Sequence, residues 1–182
     1  MSAALRGVFA TDSGMLAIWN KSHFGQIGDY ESWERALLED EDIVTHIKAG
    51  AFVPINIRSD GAFACEIRCG AANDPADLTS RERQYLVVAS EPYLFRSDGE
   101  LLISGIERIE NAPGDGVGKL RLPDGEYTTM VHLVGWDDEP GMKEEDGKPM
   151  PTALPDFVLL LNPVVGQQVN FRKKVDTFEK PA

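Results

Sequence analysis

Residues 125–141, GEYTTMVHLVGWDDEPG, begin as an apolar strand and end as an acidic loop. Tyr127 to Trp136 carry apolar side chains on both faces, the pattern of a strand covered on both sides. Asp137, Asp138 and Glu139 follow, and Pro140-Gly141 ends any extended run. The loop continues to Pro155 with Pro149 and Pro151 inside it. A connection this long in a compact domain is usually functional or disordered. Asp156 to Val165, DFVLLLNPVV, reads as the next strand, and Val169–Phe171 as a short last one.

Working upstream, the punctuation is that of a β-rich chain. Pro113, Gly114, Gly116, Gly118, Pro123 and Gly125 surround a short strand at Lys119–Leu122. Apolar residues on both faces of Tyr85–Val88 and Leu101–Ile106 predict central strands. Arg-Ser-Asp-Gly occurs twice, at Arg58–Gly61 and Arg96–Gly99, each time between apolar strands. Ser-Asp-Gly is what a tight turn selects, so the repeat is convergence and predicts hairpins. Val8–Ala10 and Met15–Trp19 predict a hairpin about Asp12-Ser13-Gly14, and Ala51–Gly70 predict another about Ser59-Asp60-Gly61. Phe63, Cys65, Ile67 and Cys69 alternate with Glu66 and Arg68, so that strand is half-buried.

One segment is helical. Asp29 suits an N-cap, and Tyr30, Trp33 and Leu37 make an apolar stripe. The acids Glu39–Asp42 oppose the macrodipole at a helix C-terminus but suit an N-terminus, which predicts a second helix from near Asp40, closed by Gly50. The expected fold is α+β and mainly antiparallel, a two-layer sandwich or a meander-like sheet of hairpins, with one or two short helices near the N-terminus. Residues 1–171 form a single β-rich domain in this reading, and 172–182 a charged, frayed tail.

Composition narrows the function classes. Of 182 residues, 42% are hydrophobic and 26% charged, as in globular proteins. No apolar run nears the ~20 residues of a membrane span, and the N-terminus lacks a signal-peptide pattern, so the expectation is cytoplasmic. Cys65 and Cys69 on one strand lie roughly 13 Å apart, too far to bridge, and make a poor zinc signature. Net charge is −12, and two segments hold nearly all of it: 29–42 carries −6 and 137–146 carries −5. With no Lys/Arg stripe, nucleic acid is not an expected partner; a basic protein partner is.

No motif carries catalysis. GDGVGKL lacks phosphate-loop spacing, there is no GxSxG and no HExxH, and the acidic loop lacks the order of a calcium loop, so neither a metal nor a cofactor is expected. His132, oriented by Glu139 or Asp156, is the one candidate for acid–base chemistry, as in a small hydrolase or isomerase with a sheet-mouth pocket. A small-ligand-binding β-sandwich with a large internal cavity is a further alternative. In general character the chain is similar to small bacterial inhibitor and immunity proteins, a likeness of type that carries no site residues. The leading expectation is a non-catalytic binding or inhibitor protein. Its partner-binding residues would be Glu39, Asp40, Glu41 and Asp42, with Trp136 as anchor beside Asp137, Asp138, Glu139, Glu144, Glu145 and Asp146.

Overall fold

The computed structural model describes residues 3–181. Met1, Ser2 and Ala182, the ends of the expected domain and tail, lie outside the described residues. Eight strands form one sheet: β1 (Ala4–Thr11), β2 (Met15–Trp19), β3 (Phe52–Asn56), β4 (Gly61–Cys69), β5 (Leu86–Ala89), β6 (Tyr93–Gly105), β7 (Gly118–Val134) and β8 (Phe157–Pro163). Their order is β1-β4-β8-β7-β6-β2-β3, and β5 pairs with the last residues of β7 beyond the end of β6. Every pairing is antiparallel except β4 with β8, which run parallel with Cys65 opposite Phe157. The fold is thus α+β with a mostly antiparallel sheet, as the residue patterns imply.

Two long strands shape the sheet. β6 and β7 span 13 and 17 residues, and their register shifts between Ser97 and Gly99. Ser97 Oγ donates to Leu122 O at 2.7 Å across this irregularity. Asp98 alone faces both Pro123 and Asp124, so the extra residue is a bulge in β7, with Asp98 opposite it in β6; bulges bend and twist the strands that carry them. The sheet folds back on itself, so that Phe9 on outermost β1 lies over Gly118 at the start of β7. A Cβ at residue 118 would sit 2.7 Å from the Phe9 ring. Leu16, Ile18, Ile55, Ile67, Leu101, Ile103, Phe157 and Leu159 fill the core.

Several expected hairpins are corners instead. β1 and β2 meet at Asp12-Ser13-Gly14 but do not pair; β1 pairs with β4, and β2 with β3 and β6. β3 and β4 likewise separate after Ser59-Asp60. Turn residues satisfy the backbone locally whichever strand comes next: Ser13 N–H donates to Thr11 Oγ1 at 3.1 Å, and Gly14 takes φ +73°. The two corners brace each other, because Gly14 O accepts from Ile57 N at 2.8 Å and Arg58 N at 2.9 Å. Tyr85–Val88, expected to be central, supplies instead the short edge strand β5. Val169–Phe171 forms no strand.

The helices follow the sequence closely. α1 (Tyr30–Leu37) and α2 (Asp40–Lys48) are separate, and the acids 40–42 occupy the first turn of α2. Asp29 Oδ1 accepts from Ser32 N at 2.8 Å, and Ser32 Oγ accepts from Asp29 N at 3.1 Å, a reciprocal cap. α2 ends in a Schellman arrangement, with Ala51 N–H on His46 O and Gly50 N–H on Ile47 O. Replacing Asp29 with Ala removes the cap and should lower Tm by about 2–4 °C, read by calorimetry. α3 (Ser80–Gln84) is a single capped turn. Among the described residues no helix is long and apolar enough to cross a membrane.

The tail expected to fray from Arg172 is docked through Phe178. Phe178 is 2% exposed, edge-on to Phe157 with ring centroids 5.9 Å apart. Arg172 N–H donates to Pro92 O at 2.7 Å, and Tyr93 Oη to Lys174 O at 2.6 Å. One aromatic residue among six charged ones anchors what charge density alone marks as loose.

Candidate functional site

The acid–base grouping of His132, Glu139 and Asp156 does not assemble. His132 is 5% exposed and lines none of the five main clefts. Its Nδ1–H donates to Val158 O at 3.1 Å, which fixes the tautomer. Burial holds its pKa below the ordinary value, against the opposing pull of the Val158 carbonyl and nearby carboxylates. Asp156 is occupied elsewhere: Oδ1 accepts from Trp136 Nε1 and Oδ2 from Ala64 N, both at 2.8 Å. Glu139 is held by Arg81, with contacts of 2.8 and 2.6 Å. The reason is the register: β7–β8 pairing sets His132 opposite Val158, on the sheet face that α3 covers, while Asp156 precedes β8.

That face holds a buried ion pair. Arg68 Nη1 and Nη2 donate to Glu82 Oε1 and Oε2 at 3.0 and 2.6 Å, and Glu66 lies 3.2 Å from Nη1. Glu82 Oε2 also accepts from Thr79 N at 2.7 Å, so one carboxylate caps α3 and neutralises Arg68. On the opposite face Cys65 and Cys69 are free and buried. Burial pushes both thiols upward, Cys69 to about 12, which leaves them protonated and unreactive. Among the described residues no group of three His, Cys, Asp or Glu converges as metal ligands do. The main clefts, about 290 to 520 Å³, open onto solvent, so none is the internal cavity that a ligand-binding sandwich needs.

The two acidic segments differ in how their charge is met. In 137–146, Asp137 pairs with Lys180 and Lys143, Asp138 lies 3.8 Å from Lys180, Glu139 pairs with Arg81, and Asp146 with Lys148 at 2.5 Å. Glu144 and Glu145 are exposed and form no salt bridge among the described residues. Trp136 is half-buried against the cluster of Leu78, Val134, Leu154, Val158 and Leu160. In 29–42, Arg35 lies 3.6 Å from Glu31 across one turn of α1. Glu39, Asp40 and Glu41 are exposed and Asp42 is partly so, and none of the four meets a Lys or Arg among the described residues. No hydrogen bond or ion pair joins the two segments among the described residues.

Beside 29–42 lies a cleft of about 320 Å³, lined by Ile27, Asp29, Tyr30, Trp33, Glu107, Ile109 and Glu110. Trp33 Nε1 donates to Ile106 O at 2.9 Å, tying α1 to the 3₁₀ turn Ile106–Arg108, and Asn111 N–H donates to Ile27 O at 2.7 Å, joining the segments that flank them. Tyr30, read from the sequence as part of a core stripe, is 70% exposed and stacks on Trp33. Its place as the first helical residue after the cap was the available signal: the stripe meets the core only from Trp33 and Leu37 onward. Glu107 and Glu110 carried no signal, because they arrive from 80 residues away in sequence.

No protein-family model matches the chain, and no curated protein matches its sequence. Among solved structures, it is similar to the protein described as "Crocagin biosynthetic gene J". The TM-score is 0.54 at 14% identity, over 90% of this chain and 97% of that one. At that identity the likeness shows a shared fold. ComJ from Bacillus subtilis, described as an inhibitor of the DNA degrading activity of NucA, matches with TM-score 0.49 and 12% identity, over 90% of this chain and 99% of that one.

Proposed function

We propose that this chain is a non-catalytic protein-binding module of the inhibitor or immunity type. It engages a basic protein partner through the acidic helical edge at 29–42, with Glu144 and Glu145 of the 137–146 loop as a secondary contact. The observation that carries the reading is the block Glu39, Asp40, Glu41 and Asp42, which meets solvent without an internal counter-charge among the described residues. Uncompensated charge of one sign steers an oppositely charged partner and accelerates encounter about 10- to 1,000-fold at low salt. Asp137, Glu139 and Asp146 contribute less outward field, because Lys180, Arg81 and Lys148 already neutralise them.

The experiment is capture of a partner from lysate of the source cells, then association kinetics at low and high salt. Glu39→Gln, Asp40→Asn, Glu41→Gln and Asp42→Asn together should slow low-salt association about tenfold or more and flatten its salt dependence. Neutralising Glu144, Glu145 and Asp146 should slow it by about twofold to threefold. Association that is unchanged by the four α2 neutralisations leaves 39–42 as a solvated surface and ends this reading.

A further inference from the structure

The cleft beside α1 has the composition of a receptor for one cationic, planar group. Tyr30 and Trp33 stack with ring centroids 6.1 Å apart and planes 15° apart, and the Trp33–Ile106 hydrogen bond locks the inner ring. Glu107 accepts from Thr11 Oγ1 at 3.1 Å, Asp12 N at 3.0 Å and Ser13 Oγ at 2.8 Å. None of these donors is charged, so they fix the carboxylate in place without cancelling its charge. Asp29 is held by Ser32 N and Oγ in the same manner, and those bonds keep its carboxyl below the usual range. Glu110 is exposed and forms no salt bridge among the described residues. No Lys or Arg lines the cleft; Arg108 instead lies 3.3 Å from Asp115 O.

We propose that this cleft receives an arginine side chain of the partner, with the guanidinium stacked on Tyr30 and paired with Glu110, Glu107 and Asp29. The proposal rests on the partner-binding reading above and adds where, and by what chemistry, the central contact is made. A flat guanidinium lies parallel to an aromatic face and offers a fixed fork of donors to carboxylates, whereas an ammonium is attracted to both as a compact point charge with neither plane nor fork. An anion would be repelled by three carboxylates, and an apolar side chain would strip water from them without replacing it. The volume lies at the lower end of ligand pockets, roughly 300–1,000 Å³, and suits one side chain.

The test is a titration of the full chain with the blocked peptide acetyl-Gly-Arg-Gly-amide, followed by the Trp33 indole N–H resonance. The matching citrulline and lysine peptides are the controls. The arginine peptide should shift that resonance saturably and bind about fivefold or more tighter than citrulline. Tyr30→Ala and Glu110→Gln, both at exposed positions, should each weaken it about threefold to fivefold. Equal shifts by arginine and citrulline, or shifts confined to residues outside the cleft, overturn the proposal. If a captured partner depends on 39–42 while the arginine peptide leaves Trp33 unmoved, the cleft assignment fails and the partner reading stands. If the peptide binds here and no partner is captured under any salt condition, the cleft assignment stands and the partner reading fails.

Discussion

Glu82→Ala is expected to destabilise the fold by about 3–5 kcal/mol, the range for removing one member of a buried ion pair. Glu82 is 3% exposed and the Arg68 side chain 20%. Removing the carboxylate leaves a buried guanidinium with Glu66 as its remaining acid and strips α3 of its capping box. Arg68 Nε already lacks a hydrogen-bond partner among the described residues, so the site has no slack with which to absorb the loss. Urea unfolding measures the effect. Arg68→Met combined with Glu82→Leu should recover most of it, because an apolar pair needs no compensating charge. A double variant as unstable as the single one would assign the loss to the cap instead.

The same face contributes to the acid sensitivity of the protein. Burial pushes the Glu82 carboxyl upward, but the Arg68 hydrogen bonds, the Thr79 N–H and the Arg68 charge outweigh it, and the net pKa lies below the usual value. A depressed carboxyl stabilises the fold in full above its unfolded pKa and ceases to do so as pH falls through its folded one. His132 acts in the same direction at higher pH. Its folded pKa is lowered, so the unfolded chain takes up the proton first and stability begins to fall below about pH 6.5. His132→Gln, which retains a donor for Val158 O, should reduce the upper part of that slope, leaving the share of His23, lowered by burial and by the charge of His46, and leave the lower part in place.

Phe178→Ala should cost about 3–5 kcal/mol, as deletion of a buried phenylalanine does. The ring seals the core beside Phe157, and its own N–H donates to Asn56 O at 2.9 Å. Asn56 Nδ2 donates in turn to Thr177 Oγ1 at 3.1 Å, so the strap is stitched to the end of β3. Phe178→Leu should cost under about 1.5 kcal/mol. Removing residues 172–182 should cost at least as much as the alanine substitution, because Tyr93 Oη then loses Lys174 O as well. Midpoints of urea unfolding that do not move on truncation would show that the strap bears no load.

Local chemistry made the elements legible and left their partners hidden. The Asp29 cap, the break before Asp40 and the Gly50 terminus depend on residues within one or two turns, and each appears where the sequence put it. The two-faced apolar pattern of 127–134 and 101–106 reports burial, and both segments lie inside the sheet. Asp12-Ser13-Gly14 reports a reversal of direction and says nothing of pairing, which is why corners read as hairpins. Ser97-Asp98-Gly99 has the composition of a turn but runs on as strand opposite the Pro123-Asp124 bulge, because Leu120 and Leu122 continue the ladder across from it. At the candidate surface, composition located the charge, but only the fold distinguishes Asp137 and Glu139, paired with Lys180 and Arg81, from 39–42, which meet no Lys or Arg among the described residues.

The parallel β4–β8 pair has a consequence for synthesis. β4 ends at Cys69, and its partner begins at Phe157. At translation rates of ~5–20 residues per second, the intervening stretch takes roughly 4–18 s to emerge. During that interval β1 covers one edge of β4 and the other edge stands open, a template for pairing with another nascent chain. Glu66 and Arg68 project from this strand on the face later covered by α3. Two charges of opposite sign on a waiting edge disfavour its stacking into an ordered aggregate. Arg68, which in the finished fold is paired with Glu82, thus lies with Glu66 on a strand whose β8 neighbour is made last.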